Sequence, residues 1–533
     1  MMGRTLCSVL LLLALYTQAL AAPAVLQLDA GPVLRNDDGV YKGIPYAAAP
    51  VGALRWHPPQ PVPAWTEPRT FGDFGPACPQ ADADDNTSED CLTLNVWTPA
   101  DQNTTRAPVM VFIHGGAFLS GAGSLATYDG AALAENGVVV VTLNYRLGAL
   151  GFMAHPLLSL ESPKGVSGNY GLLDQQAGLA WVRRNIAAFG GDPNTVTVFG
   201  QSAGGASIVL QLVSPGAATL FDRAIVQSPV GPGALRPLKT SAPGIVSAEA
   251  VGLLLARQLG AEGADDVLAA LRRADPADIL AATTTLPAEA SLEVAGIAFG
   301  PVVDGVVIPG HPVERIRAGQ QHPKPLVIGT VRDEATLFLP GLKPPANTQG
   351  SWHRWIEARF GPAAGQVLAL VPTQAKGLWS EQNRLVTRRW FTAYARFLAS
   401  QWAASGTPCF LYHFARPLPD GALSILAEEG GVAEMDMELL GIPHGADIFP
   451  VFGFTPWYLG FDDADRDFSK RLRSYWTGFA ATGQPGGSGL PVWPQFDPGA
   501  PAAMGFADTA AMCQAPADPL DRLVEAGWLK TMY

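Results

Sequence analysis

The sequence predicts an α/β fold in which a large, mostly parallel sheet is covered by helices on both faces. Residues 108–113, 137–143 and 195–198 are almost entirely apolar or β-branched, which is typical of strands buried on both faces. Between the second and third of these runs, residues 174–189 have apolar side chains at helical spacing. Strands that alternate with helices in this way indicate parallel pairing, because each helix returns the chain to the same end of the sheet.

Length and composition exclude several other classes of protein. The chain has 533 residues, of which 48% are hydrophobic and 15% are charged, so it can bury a large core and is not disordered or a coiled coil. The net charge of −12 argues against a basic surface that would bind nucleic acid. The sequence contains no internal repeat and no linker-like stretch, so residues 22–533 are predicted to form one domain.

The first residues of the chain are typical of a secretory signal peptide. Arg4 precedes an apolar run at residues 6–15, and small residues follow at 19–22. We predict that residues 1–21 are removed and that the mature protein is secreted or periplasmic. This run is too short for a membrane anchor, and no later apolar run is long enough to span a bilayer.

Four cysteines remain after the leader: Cys78, Cys91, Cys409 and Cys513. In an exported protein, four cysteines indicate two disulfides. Three pairings are possible, and loop length favours a local bond between Cys78 and Cys91 and a second bond between Cys409 and Cys513. No pair has metal-ligand spacing with histidines, so no metal site is predicted.

The turn after the run at residues 195–198 is the first indication of function. Residues 200–204 read Gly-Gln-Ser-Ala-Gly, and small and apolar residues then continue as in a core-facing helix. A serine on a sharp turn between a strand and a helix is lifted above the sheet. Glycines two positions to either side leave room for the strained backbone and for a substrate. Ser202 is therefore the candidate nucleophile.

A serine nucleophile needs a histidine to take its proton and an acid to orient that histidine. In hydrolases with this turn, the acid and then the histidine follow the serine along the chain. Asp333 and Glu334 both follow a predicted strand at residues 325–329, and His444 lies in a loop rich in glycine and proline. His413 is predicted to lie within a strand, so order and context favour His444.

Backbone N–H groups must bind the oxyanion that forms when a serine attacks a carbonyl group. Residues 114–117, His-Gly-Gly-Ala, follow a buried strand and have small side chains that allow a close approach of the backbone. Ala203 adds an N–H group at the positive end of the helix that follows the nucleophile. These two segments are the predicted oxyanion site.

Six motifs in this order resemble the type-B carboxylesterases, the carboxylesterase and cholinesterase family of α/β-hydrolases. They are GIPYA at 43–47, SEDCLTLNVW at 88–97, HGGAF at 114–118, NYRLGALGF at 144–152, FGGDPNTVTVFGQSAGG at 189–205 and WTGFAATGQP at 476–485. The resemblance covers about residues 39–493. It implies the α/β-hydrolase fold and a serine carboxylic ester hydrolase that requires no cofactor and no metal.

The resemblance also implies a role for each candidate residue. It makes Ser202, Glu334 and His444 the catalytic triad and selects Glu334 rather than Asp333 as the acid. The implied oxyanion donors are the N–H groups of Gly116, Ala117 and Ala203. The resemblance also implies that Gly115 shapes the oxyanion loop and that Ser228 is a buried support for the acid and the histidine. The implied structural contacts are the ion pairs Arg55–Glu89 and Arg146–Asp174 and the disulfides Cys78–Cys91 and Cys409–Cys513.

Two departures from the family pattern bear on the substrate. The segment between Cys78 and Cys91 has only twelve residues and no aromatic one. In cholinesterases it is much longer and carries the tryptophan that binds the choline cation, so a choline ester is not expected. Ala117 replaces the third glycine of the common form, which narrows the space near the acyl carbonyl.

Two alternatives to an ester hydrolase are compatible with parts of the pattern. An amide, carbamate or thioester hydrolase would use the same triad. A non-enzymatic adhesion protein on the same fold is disfavoured, because such members of the family lack the nucleophile that this chain retains.

The predicted partner is a small-molecule or extended ester, with no nucleic acid and no membrane anchor. The sequence predicts neither the acyl and alcohol parts of the ester nor an oligomeric state.

Overall fold

A computed structural model describes residues 25–81, 86–100, 106–231, 235–241, 244–292, 296–340, 349–371, 378–515 and 518–530. The predicted leader at residues 1–21 lies outside these ranges, so the signal peptide and export stay predictions. Across the part of the chain that is described, no helix combines the length and the apolar character needed to cross a membrane.

Fourteen strands form within the described ranges. In chain order they are β1 (Val25–Gln27), β2 (Pro32–Leu34), β3 (Val40–Pro45), β4 (Thr93–Trp97), β5 (Ala107–Ile113), β6 (Val139–Leu143), β7 (Gly191–Gln201), β8 (Arg223–Gln227), β9 (Arg236–Pro237), β10 (Val302–Val303), β11 (Leu326–Val331), β12 (Cys409–Phe414), β13 (Ala502–Phe506) and β14 (Ala510–Gln514). Ten of them form one sheet in the order β14-β13-β12-β11-β8-β7-β5-β6-β4-β3. The strands from β13 to β6 in this order are parallel, and both edges are antiparallel.

Eighteen α-helices of the described ranges surround this sheet. They are α1 (Ala131–Ala134), α2 (Gly148–Phe152), α3 (Pro156–Glu161), α4 (Tyr170–Asn185), α5 (Ala203–Gln211), α6 (Ala248–Gln258), α7 (Val267–Arg273), α8 (Pro276–Thr284), α9 (Pro312–Arg317), α10 (Gln349–Phe360), α11 (Ala364–Leu370), α12 (Leu378–Thr387), α13 (Ala393–Ala404), α14 (Asp420–Glu429), α15 (Met437–Leu440), α16 (Ile448–Phe452), α17 (Asp463–Thr482) and α18 (Pro519–Lys530). A π-helical turn at Arg388–Thr392 joins α12 to α13. The predicted α/β class with a mostly parallel sheet is confirmed.

Alternate residues of the central strands face two separate hydrophobic cores. In β5, Val109, Val111 and Ile113 belong to one core cluster, whereas Met110 and Phe112 belong to the other. All five side chains are fully buried. Burying a side chain of this size contributes roughly 1.5–3 kcal/mol. The two cores explain why these strands are continuously apolar rather than alternating in polarity.

Both predicted ion pairs and one of the two predicted disulfides are present. Arg55 Nη2 lies 2.5 Å from Glu89 Oε2, and Arg146 Nη2 lies 2.8 Å from Asp174 Oδ1. Both arginine side chains and Asp174 are buried, so each charge has its partner within the protein rather than in water. The predicted disulfide Cys78–Cys91 is also formed.

The predicted disulfide between Cys409 and Cys513 is wrong, because both thiols are free. Cys409 begins β12, whereas Cys513 lies on β14 opposite Ala503 of β13. Since β13 lies between them, two strand spacings separate the cysteines, about 10 Å in total. A disulfide requires Cα atoms within roughly 7 Å of each other. The Cys513 thiol instead donates to the Ala503 carbonyl oxygen at 3.4 Å, and burial raises the pKa of the Cys409 thiol.

Candidate active site

The candidate residues gather where four adjacent strands end. The strands β5, β7, β8 and β11 are parallel neighbours, so their carboxyl ends lie at the same edge of the sheet. His114 directly follows β5, Ser202 follows β7, Ser228 follows β8, and Glu334 lies three residues beyond β11. Residues that are far apart in the sequence therefore meet at one edge, as is typical of open α/β sheets.

Ser202 occupies the predicted turn between β7 and α5. Its backbone has φ 59° and ψ −122°, a left-handed conformation that is strained for any residue except glycine. Two contacts hold the turn in place. The Ser202 N–H donates to the Gln227 carbonyl oxygen at 3.0 Å, and α5 packs so closely on β5 that a side chain at Gly204 would overlap the Ile113 carbonyl oxygen. These contacts hold the strained backbone conformation of Ser202 in place.

His444 contacts the carboxylate of Glu334. Nδ1 of His444 lies 2.5 Å from Glu334 Oε2, and the Val331 N–H donates to the other carboxylate oxygen at 2.9 Å. The rings of Phe338 and Phe391 pack around the imidazole, with centroids 5.3 Å and 4.8 Å away. The carboxylate accepts from Nδ1–H, which leaves the lone pair of the neutral imidazole on Nε2.

Asp333, the other acid that the sequence offered, binds the backbone of the histidine loop. Its Oδ2 accepts from the Ile442 N–H at 2.9 Å, and its own N–H donates to the Ile442 carbonyl oxygen at 3.0 Å. Its Oδ1 accepts from Asn383 Nδ2 at 2.8 Å. The two neighbouring acids therefore have different contacts: Glu334 contacts the imidazole, and Asp333 binds the loop that carries it.

Asp447 is a second anchor of the histidine loop that sequence reasoning did not single out. Its Oδ2 accepts from the Tyr412 hydroxyl at 2.7 Å and from Gln227 Nε2 at 2.9 Å, which ties the loop to β12 and β8. The side chain is fully buried, and this burial raises the pKa of the Asp447 carboxyl. An acid three residues after His444, directly before an apolar helix, is the sequence signal for this anchor.

The predicted oxyanion donors lie on two strained segments beside Ser202. Gly116 has φ 102° and Ala117 has φ 55°, so the loop after β5 turns through the left-handed region. Neither these two N–H groups nor that of Ala203 donates a hydrogen bond to another residue of the described ranges. A side chain at Gly115 would come within 3.1 Å of the Ser202 Cβ atom, which explains why this position is a glycine.

His114 stabilises the start of the loop after β5, which carries two of the predicted oxyanion donors. Its ring stacks on that of Tyr145 at 4.3 Å, and the Tyr145 hydroxyl donates to the His114 carbonyl oxygen at 2.9 Å. Nδ1 lies 2.8 Å from the Gly115 carbonyl oxygen, to which it can donate. Burial lowers the pKa of His114 to about 4, so the ring is uncharged at neutral pH.

His114 predicts a pH-dependent stability. The ordinary pKa of 6.5 applies in the unfolded chain, whereas the buried ring has a pKa of about 4. The unfolded state therefore binds more protons between these values, and the free energy of unfolding decreases as the pH falls through this window. The decrease amounts to about 3 kcal/mol when the window has been crossed.

Urea unfolding of the wild type and of His114→Gln, from about pH 7 to pH 4.5, tests this contribution. We expect the wild type to lose about 2–3 kcal/mol more than the variant over this range, because glutamine does not titrate. Parallel curves for the two proteins would contradict the assignment.

Ser228 lies where it was predicted, but its hydroxyl does not contact the acid or the histidine. The residue is fully buried with φ 44°, and its N–H donates to the Gly329 carbonyl oxygen at 2.9 Å. Its Oγ has no hydrogen-bond partner in the described part of the chain. A direct hydrogen bond from Ser228 to Glu334 or His444 is therefore not part of this site.

Gln201 is a site residue that sequence reasoning missed. Its Nε2 lies 2.9 Å from Nε2 of His444, the nitrogen that faces away from Glu334. The Ser202 hydroxyl makes no hydrogen bond with any residue of the described ranges. The sequence signal was the polar residue within the Gly-Gln-Ser-Ala-Gly turn.

The family of the chain follows from a comparison with known proteins. A family model described as the carboxylesterase family matches residues 35–518, which includes every candidate residue above. The chain belongs to the carboxylesterase family. It is a carboxylic ester hydrolase with the α/β-hydrolase fold, as the six motifs implied.

Individual relatives in the family are similar over most of their length. The fumonisin B1 esterase of Sphingopyxis macrogoltabida is 36% identical over 498 residues, which cover 90% of this chain and 87% of that protein. The phenmedipham hydrolase of Pseudarthrobacter oxydans is 33% identical over 502 residues, with 91% and 94% covered. Among solved structures, a PNB esterase superimposes with a TM-score of 0.78 at 32% identity, covering 94% of this chain and 100% of that one.

Proposed function

We propose that this carboxylesterase hydrolyses esters with apolar groups next to the carbonyl, through an acyl-enzyme formed on Ser202. His444 is the general base and Glu334 is the acid that orients it. The observation that carries the proposal is the 2.5 Å contact between His444 Nδ1 and Glu334 Oε2, beside the strained turn of Ser202. This geometry supports the proton transfer that a serine needs to act as a nucleophile.

The reaction follows from these positions in two steps. Ser202 Oγ attacks the ester carbonyl carbon while His444 Nε2 takes its proton, and Glu334 stabilises the imidazolium. The N–H groups of Gly116, Ala117 and Ala203 donate to the oxyanion, and each such donor contributes roughly 10²- to 10³-fold to kcat. The alcohol leaves with the proton from His444, and a water molecule then releases the acid by the same route.

The surroundings of the site favour an uncharged ester. Rings of Phe338 and Phe391 pack against the imidazole, and an apolar cavity lies beside Phe118 and one side of α5. Among the residues that the structure describes, its lining includes Val209, Leu235 and Tyr394 and no side chain that is charged at neutral pH. A substrate carboxylate in these surroundings would have no hydrogen-bonding partner. Its binding would be weaker by at least about 1–3 kcal/mol, the cost of burying an unpaired polar group.

A panel of p-nitrophenyl esters tests this function. We expect kcat/KM for the butyrate to exceed that for the charged hemisuccinate by roughly ten- to a hundredfold, since each 1.4 kcal/mol corresponds to a tenfold change. Butyryl p-nitroanilide, the matched amide, should be hydrolysed much more slowly than the butyrate ester, and acetylthiocholine should be a poor substrate. Faster hydrolysis of the anilide would favour the amide hydrolase, and a preference for the hemisuccinate would contradict the apolar site.

A further inference from the structure

Gln201 links the candidate nucleophile to the candidate base. It is the last residue of β7 and directly precedes Ser202, and its side chain is buried at 6% exposure. Its Nε2 lies 2.9 Å from Nε2 of His444. The hydrolysis described above assigns this side chain no role, although it touches the atom that must accept the serine proton.

The direction of this hydrogen bond follows from the opposite side of the imidazole. The Glu334 carboxylate lies 2.5 Å from Nδ1 and can only accept, so Nδ1 carries the proton. The neutral ring then has its lone pair on Nε2. The amide N–H of Gln201 donates to that lone pair.

This bond occupies the lone pair that is needed to deprotonate Ser202. The serine hydroxyl has no hydrogen-bond partner within the described ranges, so serine and amide are alternative donors to the same atom. Once Nε2 is protonated, the ring becomes a donor there. The Gln201 amide then offers its oxygen after a rotation about its last side-chain bond.

We propose that Gln201 is a positioning residue for ester hydrolysis, one that acts through His444. Its amide holds the imidazole above Ser202 in both protonation states, and because it is uncharged it does not trap the imidazolium. The inference rests on the proposed roles of Ser202 and His444. A carboxylate in this place would also accept from the protonated ring, but it would stabilise the charged, inactive form of the free enzyme.

The groups that face the imidazole determine how a pH profile will respond. The rings of Phe338 and Phe391 are uncharged. Glu334 contacts the imidazole ring, and Asp447 interacts with it from the same loop. Asp333 binds the histidine loop and pairs with Arg332, and His413 on β12 interacts with Glu334, Arg332 and Arg388. None of these residues is changed in a Gln201 variant, so we expect a change in the profile to report on position 201.

The pH dependence of kcat/KM for p-nitrophenyl butyrate in Gln201→Glu tests the proposal. A carboxylate within hydrogen-bond distance of an ionisable group shifts its titration by about 1–3 pH units. We expect the acid limb of the profile to move to higher pH by about one unit or more. Gln176→Glu adds the same charge on α4, where the amide binds Gln211 and Ser214, and should leave the limb unchanged.

Gln201→Leu provides the second measurement, because it removes both hydrogen bonds without adding charge. We expect kcat to fall roughly tenfold with KM unchanged, because the variant loses about one hydrogen bond to a charged group. The acid limb of the pH profile should move less than in Gln201→Glu. Circular dichroism shows whether the variant is folded. Titration of the active sites with an organophosphate gives the concentration of active enzyme from which kcat is calculated. If Gln201→Glu does not fold, the kcat and KM values of Gln201→Leu decide.

An acid limb in folded Gln201→Glu that coincides with the wild type would overturn the proposal. So would a wild-type kcat in Gln201→Leu. Neither result touches the proposed function, which depends on the separate Ser202→Ala comparison with unmodified Gln201.

Discussion

Ser202→Ala is expected to lower kcat for p-nitrophenyl butyrate by roughly 10⁴- to 10⁶-fold. Alanine has no hydroxyl to form the acyl-enzyme, so the remaining rate comes from substrate binding and the backbone donors alone. The measurement is steady-state hydrolysis at neutral pH, together with mass spectrometry of enzyme treated with an organophosphate. The wild type should gain one dialkylphosphoryl group on the peptide that contains Ser202, and the variant should gain none.

The control for this loss is Ser207→Ala on the same helix. Ser207 is fully buried and accepts from Gln175 Nε2 at 3.0 Å, so its removal tests the packing of α5 without touching the turn. We expect Ser207→Ala to retain kcat within a few-fold and to unfold at a somewhat lower temperature. Ester hydrolysis by Ser202→Ala at a tenth of the wild-type rate or more would end the assignment of Ser202 as the nucleophile.

Glu334→Gln is the second substitution with a large expected effect. The neutral amide can donate to Nδ1 and so favour the wrong tautomer of His444, as well as remove the charge that stabilises the imidazolium. We expect kcat to fall roughly 10³- to 10⁴-fold, as reported by steady-state hydrolysis. The melting temperature should change little, because glutamine oxygen can still accept from the Val331 N–H.

Asp333→Asn is the matched control, since it changes the neighbouring acid in the same way. Asparagine oxygen can still accept from the Ile442 N–H, but the ion pair with Arg332, 2.7 Å in the wild type, is lost. We expect a loss in kcat of less than about tenfold and a lower melting temperature. A larger kcat loss in Asp333→Asn than in Glu334→Gln would exchange the roles of the two acids.

The strand and helix pattern was predictable because it depends on local chemistry. A short, continuous apolar run such as residues 108–113 is typical of a strand covered on both faces, and the two cores on either side of β5 confirm this prediction. The turn at Ser202 was equally local, since the contact between α5 and β5 requires glycines two positions before and after the serine.

The choice between Asp333 and Glu334 was not local. Both acids follow β11, and their residue types are chemically equivalent, so spacing alone left both open. In the folded chain Glu334 lies against the imidazole, whereas Asp333 is held by backbone groups of the histidine loop, 109 residues away along the chain. The family resemblance selected Glu334, but among the physical features of the chain only the docking of that loop on the end of β11 separates the two acids.

The cysteines and Gln201 show what depends on the arrangement in space. The pairing of Cys78 with Cys91 follows from a short loop, but whether Cys409 can reach Cys513 depends on the strand that lies between them. The contact of Gln201 with His444 joins two side chains that are 243 residues apart in sequence. No periodicity or local propensity specifies such a distance.

The sequence by itself determined the fold class, the sharp serine turn, the loop of small residues after β5 and, through its motifs, the family. These features depend on residue type within a few positions, where backbone geometry and side-chain size act directly. The tertiary structure decided which acid contacts His444, that two cysteines stay free, and that the Gln201 amide lies against Nε2 of His444. These outcomes depend on sheet order and loop docking, which arise from packing of the whole chain.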